Sequence, residues 1–359
     1  MRSLARHRGR AAVFSAACLL AAAACGGHSG PPGPPKAGQA RVIGQTTGSG
    51  DIGPATVDGE RGIAAAAGGV LYINTSERLV RLGADGAYTD VSGQQAGEPA
   101  PEDRGLSGVV VRGDGTLLTG ENGRIVAVAP SGRLTVLAGT AGHLRSLTAS
   151  LANSAPATGF RLTNEATPLA VEKDGTVVIA DGNAVWSLAN GRLTLRYRQA
   201  PEKDPQGYVS TFNGSTSAAD PDGTAFLAPI TPHTLTDVVV LPGDGRAPHK
   251  LELPAHVSGV KVPTAQLAPA SLAGDGANGV YVTTYDANKR GAYVLHVHDG
   301  RADLVAASTA SAASATCDVH KAVAARDFPC YFPTGIAYHS GHVYLAGNRS
   351  YVVDIGIGT

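Results

Sequence analysis

Residues 169–188 read LAVEKDGTVVIADGNAVWSL. Two apolar runs flank Asp174-Gly175, and a third, Ala184–Leu188, follows Asp181-Gly182-Asn183. Asp and Gly both tolerate positive φ, so Asp-Gly between apolar runs predicts a tight hairpin. The stretch therefore predicts three antiparallel strands, and Gly191-Arg192-Leu193-Thr194-Leu195 predicts a fourth.

The same pattern recurs along the chain. Gly68-Gly69 before VLYI, Asp114-Gly115 before TLLT, Asp222-Gly223 before TAFL, Asn278-Gly279 before VYV and Ser340-Gly341 before HVYL give six copies with the first. An apolar strand such as GVVVRG, PLAVEK or TGIAYH precedes each turn, and Arg124–Val128 with Gly132–Leu137 supply the outer half of the second copy. The copies recur at roughly 45 to 65 residues, at or just above the spacing of propeller blades. The fold class is thus all-β: a six-bladed β-propeller of four-stranded antiparallel blades, an arrangement that leaves only short protected edges. The last copy ends after its third strand, and an orphan strand lies near the N-terminus at about residues 41–44, so that strand is expected to close the ring by completing the last blade. Helix is nearly absent from the pattern, and only His143–Asn153 is expected to be helical.

The third copy resembles an NHL repeat, including the Ile-Ala-Asp that ends its second strand at Asp181 and the Asn two residues later. The segment before it, from VLAGTAG through the Pro156-Ala157-Thr158 step, resembles the inter-blade segments of bacterial NHL proteins and teneurin-like propellers. That resemblance also disposes of Gly48–Gly53, GSGDIG, which matches a dinucleotide-binding glycine pattern. The phosphate turn must open a helix, whereas PATVDG follows here, and GSGDIGPAT matches the inter-blade form. The resemblance implies a fold and leaves function to the site.

At the N-terminus, MRSLARHRGR carries four arginines and no acid, followed by an apolar run ending at Cys25. This reads as an export signal over 1–25, too short to span a bilayer, ending in a lipobox-like Ala-Ala-Ala-Cys whose cysteine would be acylated. Cleavage after small residues, giving a free secreted protein, is the alternative. Residues 26–40 form a Gly/Pro-rich tether and 41–359 the propeller. The expected location is the outer face of the cytoplasmic membrane. Formal net charge is zero, so no basic footprint for nucleic acid exists. Membrane contact is expected through the lipid only, and the chain is expected to be a monomer. In an exported chain Cys317 and Cys330 are expected to pair.

Turns joining first and second strands are tight, whereas the inter-blade segments are long, as at Gly139–Thr167, Pro254–Ala270 and Ala307–Pro333. These segments and the second-to-third-strand loops share one face of the ring, which makes that face the candidate binding surface for a protein or a cell-envelope glycan. Its candidate residues are Asn74, Glu77 and Arg78; Glu121, Asn122 and Arg124; Asp181 and Asn183; His233; Asp286, Asn288, Lys289 and Arg290; and Asn348 and Arg349. Asn and Asp also close turns through their own side chains, so a turn-forming role stands beside the binding role at each position. The Cys317–Cys330 loop is either a preorganised recognition element or protection for a long segment.

Inner strands such as GIAAAA and PLAVEK are poor in metal ligands, and no G-x-S-x-G, H-E-x-x-H or C-x-x-C occurs. No catalytic residue, metal ligand or cofactor is therefore assigned. His296 and His298 alternate on one strand without an identifiable acid partner, and His339 and His342 are expected to be solvated at the tight-turn face. The competing reading is a lactonase-like or lyase-like enzyme using a divalent ion in the central channel, and a third is an envelope sensor.

Overall fold

Both faces of a propeller blade are covered by neighbouring blades, so its strands need apolar side chains at odd and even positions alike. In Val177–Asp181, Val177 and Ile179 pack toward the blade before, while Val178 packs toward the blade after. The computed structural model describes residues 33–45, 62–75, 78–93, 105–140, 142–200, 211–212, 214, 216–229, 234–286, 291–310, 317–347 and 349–358. The expected signal, its Cys25 and the GSGDIG stretch lie outside them.

Strand β1 is Gln39–Gln45. Blade 1 comprises β2 (Ile63–Ala66), β3 (Val70–Asn74), β4 (Leu79–Leu82) and β5 (Tyr88–Asp90). Blade 2 comprises β6 (Leu106–Val111), β7 (Leu117–Glu121), β8 (Arg124–Val128) and β9 (Leu134–Gly139). In blade 3, β10 (Ser154–Pro156) lies outside β11 (Thr167–Val171), β12 (Val177–Asp181), β13 (Ala184–Ala189) and β14 (Arg192–Arg198). Blade 4 is β15 (Ala218–Ala219), β16 (Ala225–Leu227), β17 (Val239–Leu241) and β18 (His249–Lys250). Blade 5 is β19 (Leu267–Gly274), β20 (Val280–Asp286), β21 (Ala292–His298) and β22 (Arg301–Ala307). Blade 6 orders β23 (Val323–Ala324), β1, β26 (Arg349–Gly356), β25 (His342–Gly347) and β24 (Gly335–His339).

Six antiparallel sheets make a six-bladed ring. The inner strands β2, β6, β11, β15, β19 and β24 touch in sequence, with β24 returning to β2. One apolar cluster fills each junction, such as Leu71, Ile73, Val352 and Ala346 between blades 1 and 6. The expected closure is present: β1 pairs with β26 from Gln39↔Gly356 to Gln45↔Tyr351, through a bulge at Val42/Gly44.

Two features depart from the sequence expectation. First, the segments before blades 3 and 6 do not lie wholly on one face, because each supplies a fifth, outermost strand. Gly139 bridges to Thr158 in parallel, while β10 pairs with β14. Likewise Ser308 bridges to Phe328, while β23 pairs with β1. Each segment thus laces one blade's outer strand to the next, and together they cover the exposed edges of β14 and β1. Second, His143–Asn153 is not helical. Its polar groups are engaged elsewhere: Leu162 O accepts the Arg145 N–H at 2.9 Å, and Ala149 O accepts from Arg198 Nη2 at 3.0 Å. Ser146 and Thr148 hydroxyls bond each other at 3.0 Å, the local competition that makes these residues poor in helices.

Candidate functional site

The strand directions give the ring two unlike ends. At one end lie tight turns, with Asp114 and Asp174 each accepting the N–H two residues on at 2.9 Å. Those bonds hold both carboxyls below the usual range. At the other end lie the second-to-third-strand loops and the entries to the inner strands.

The channel between them is a cavity of about 260 Å³ reaching all six inner strands. Its lining is made mostly of small apolar residues, with Ala65, Val109, Ala170, Ala273 and Ile336 typical, and Asp220 is its one carboxylate among the described residues. Asp220 is 1% exposed and sits where β15 meets its turn. It accepts the Gly276 and Asn278 N–H groups of blade 5 at 2.9 and 3.3 Å. A Cβ at Gly274 would lie 1.9 Å from its Oδ1, so only glycine there admits the carboxylate. Burial pushes this carboxyl up from 3.8 to about 6, the Gly276 bond opposes the shift, and Asp275 adds to it.

Because the folded form holds the proton more tightly, this group makes stability rise as pH falls from about 6 toward 3.8. The shift corresponds to about 3 kcal/mol against the charge, part of which an amide would return, because it keeps one acceptor oxygen for the Gly276 N–H and turns an NH2 donor toward the weaker Asn278 contact. Asp220→Asn is accordingly expected to stabilise by about 1–2 kcal/mol near pH 7.5 and to remove this slope between pH 4 and 6. Parallel urea titrations of both proteins across that range check it, and a variant less stable at every pH would refute the charge-burial account.

Around Asp220 the structure corrects the reading of the histidines. Asp275 Oδ2 is 2.8 Å from His296 Nε2, and Asp303 Oδ2 is 3.1 Å from His298 Nε2. Both imidazoles therefore have acid partners, which the sequence did not reveal. Burial opposes the charge on Asp275, yet His296 and the Ala277 and Gly279 amides outweigh it and hold its carboxyl below the ordinary value. Asp303 raises the His298 pKa. Tyr338, Tyr281, His296 and His298 form a row of contacting rings with successive centroids 4.8, 4.2 and 4.5 Å apart, in which Tyr281 and His296 are stacked and the outer two pairs are tilted. His342 is half-buried rather than solvated, with Nδ1 2.8 Å from Asp354 Oδ1. No three His, Cys, Asp or Glu among the described residues come together as an ion site. The signal available in the sequence was the extra aspartate two places before Asp222-Gly223; its partners lie in blade 5, about fifty residues on, beyond any local pattern.

Of the candidate loop residues, several belong to the frame of the ring. Asp181 is fully buried, receiving Arg145 Nη2 at 2.9 Å, Thr163 N and Oγ1 at 2.7 Å each, and Trp186 Nε1 at 3.2 Å. Asn183 donates to Leu147 O and Gln199 O at 3.2 and 3.3 Å. Asn74 reaches across to blade 2, donating to Gly108 O at 2.8 Å. Glu121 is buried and pairs with Arg124 at 2.8 Å, and Asp286 is buried too. Exposed are Asn122 and Arg78, whose guanidinium lies 3.8 Å from Asp90. Glu77, His233, Asn288, Lys289, Arg290 and Asn348 lie outside the described residues, as does the Arg349 side chain.

Described inter-blade stretches add to this face: residues 142–150, which lie over the second-to-third-strand loops at Gly123 and Gly182 and expose His143, Leu144 and Ser146, and the two that follow. Residues 160–166 run into β11 and expose Arg161, Asn164 and Glu165. Residues 251–266 fold on themselves, with Thr264 donating from N and Oγ1 to Ala255 O at 3.0 Å each and from Oγ1 to Pro254 O at 2.6 Å. Leu251, Val257 and Val260 anchor this stretch in the core between blades 4 and 5, leaving His256, Lys261 and Gln266 outward.

No family profile and no curated protein matches this chain. Solved structures do. A Bacteroides thetaiotaomicron protein of unknown function aligns at TM-score 0.59 and 12% identity over 89% of this chain and 75% of its own. A proposed gluconolactonase aligns at TM-score 0.51 and 13% identity over 90% of this chain and 93% of its own. A streptogramin B lyase aligns at 0.49 and 11% over 89% and 97%. Likeness at this identity concerns the fold. The NHL resemblance accordingly rests on the motifs of the third copy. Cys317 and Cys330 form a disulfide, which accords with an oxidising, extracytoplasmic compartment. Among the described residues no helix is long and apolar enough to cross a membrane.

Proposed function

We propose that this chain is an exported, membrane-tethered propeller that binds a macromolecular partner, protein or envelope glycan, through its loop-rich end. The observation that carries this reading is the inequality of the two ends. One is trimmed to tight turns, while the other presents ordered stretches with polar side chains outward, anchored by apolar residues beneath. A rigid scaffold carrying exposed loops is a common arrangement for recognition. The expected lipid at Cys25 and the Gly/Pro tether would hold such a module at the membrane surface.

The alternative is a lactonase-like or lyase-like enzyme with a divalent ion in the channel. It draws on the neighbour named as a proposed gluconolactonase. Against it stands the described lining, whose one carboxylate is already engaged by two amides.

Binding to an isolated envelope fraction is the test. A variant carrying Asn164→Ala, Glu165→Ala, Lys261→Ala and Gln266→Ala is expected to lose most of the binding, whereas Ser131→Ala with Arg133→Ala at the tight-turn end is expected to retain it. Equal binding by the two variants would remove the loop-rich end as the site. One divalent ion per native chain, with a lower melting temperature after chelation, would move the site to the channel.

A further inference from the structure

The first described residues fix where the tether leaves the ring. Gly38 N donates to Gly356 O at 2.8 Å, and Ile357 N donates to Gly341 O at 2.9 Å, where Gly341 belongs to the tight turn between β24 and β25. Pro35 is buried, and its carbonyl and that of Lys36 lie over Gly356, within 2.5 Å of where a Cβ there would be. Gln39, opposite Gly356, opens β1 at this end, and Gln45, opposite Tyr351, finishes it at the loop-rich end. The chain therefore enters blade 6 across the tight-turn face.

From these contacts we infer that the tight-turn face is the surface the protein turns toward the lipid bilayer, so that the loop-rich end points away from the membrane. The inference rests on acylation at Cys25, part of the function proposed above. Eight peptide steps separate Cys25 from Gly33, a reach of at most about 28 Å at full extension. A flexible chain of that length has a root-mean-square span of only about 16 Å. Strand β1 alone rises about 20 Å between the two ends of blade 6. Laying the loop-rich end on the bilayer would require the tether to run back past the full height of that blade, stretched beyond its relaxed span. Facing the bilayer with the tight turns requires no such extension.

Charge sets how the face meets the lipid. Among the described residues its turns expose acids such as Asp85, Asp114 and Asp244 interspersed with bases such as Arg133, Lys173 and Arg301. Among the described residues such a surface offers neither an apolar patch to insert nor the basic cluster that adsorbs to anionic headgroups. The lipid chain supplies the attachment, and the face stands over the headgroups without burying side chains among them.

The experiment uses the full acylated chain in phosphatidylethanolamine–phosphatidylglycerol vesicles containing a headgroup-labelled quencher, with one fluorophore per protein. Labels are placed through Ser131→Cys and Ala277→Cys at the tight-turn end, in blades 2 and 5, and through Asn164→Cys and Ala265→Cys at the loop-rich end. All four positions are exposed. Both tight-turn labels are expected to be quenched severalfold more than both loop labels. Equal quenching of Ala277→Cys and Ala265→Cys, with the other two unquenched, would mean that the ring lies on its edge and would overturn the inference. Stronger quenching of the loop labels would overturn it as well. If the protein does not float with the vesicles, and Cys25→Ser behaves identically, the acylation reading itself fails and the inference falls with it; flotation with the wrong quenching pattern overturns the orientation alone.

Discussion

Asp181→Ala is expected to destabilise the propeller by about 3–5 kcal/mol, the range for breaking a buried ion pair by removing one partner. The reason is the guanidinium left behind. Arg145 is 9% exposed and gives Asp181 three hydrogen bonds, from Nη2 to the carbonyl and to Oδ2 and from Nε to Oδ2. Loss of the carboxylate would also strand the Thr163 hydroxyl and N–H and the Trp186 indole N–H, all of which donate to it. These donors come from the segment leaving blade 2, the entry to β11 and the third strand of blade 3, so one side chain ties three pieces of chain together. At about 2–4 °C per kcal/mol for a body somewhat smaller than this one, thermal unfolding should fall by roughly 10 °C. Asp181→Ala combined with Arg145→Met removes the stranded charge as well and is expected to recover part of the loss. If the double variant is less stable than Asp181→Ala by the full cost of an additional core lesion, the pair is not the source of the effect.

That aspartate also marks what could be read from sequence. The Ile-Ala-Asp ending β12 was visible as a repeat signature, and the Asp-Gly turns marked the first hairpins of blades 2, 3 and 4, as where Val171 faces Val177. The latch was visible because an odd strand at one end matched a missing strand at the other. What a side chain meets in the next blade was not visible. Asp181 could equally have faced outward, since a turn-forming Asp and a binding Asp look alike in sequence. The same limit concealed the partner of His296: Asp275 lies in the turn after β19, twenty-one residues before it, and which face each strand turns to a neighbour depends on register across the ring. The two lacing segments escaped for a related reason. SAP at 154–156 and VA at 323–324 are too short to carry an alternating pattern, and become strands only because an outer edge is there to pair with.

Removing the disulfide should act on the closure of the ring rather than on the fold at large. Cys317 and Cys330 close a loop of sequence separation 13, worth about 3 kcal/mol in the chain-entropy account. Inside that loop, Val319 O accepts the Val42 N–H at 2.7 Å and Gly38 O accepts the Ala325 N–H at 2.8 Å, both from or beside β1. Its far end is fixed to blade 5, where Phe328 N donates to Ala307 O at 3.1 Å and Arg326 Nη2 to Leu304 O at 2.7 Å. Phe328, fully buried, stacks on Phe332 at 5.3 Å. The loop thus holds β1 from the side opposite β26 and straps it to the neighbouring blade. Cys317→Ala with Cys330→Ala is expected to cost about 3 kcal/mol, and hydrogen exchange should locate the loss: amides of β1, β23 and β26 should lose protection well before those of β7, β8, β12 and β13. A ring closed by a separate strand has this joint as its weakest, because opening it breaks strand pairing without disturbing the hairpins of the other five blades. Uniform loss of protection would contradict the strap. Unchanged stability with lost binding to the envelope fraction would instead assign the disulfide to recognition.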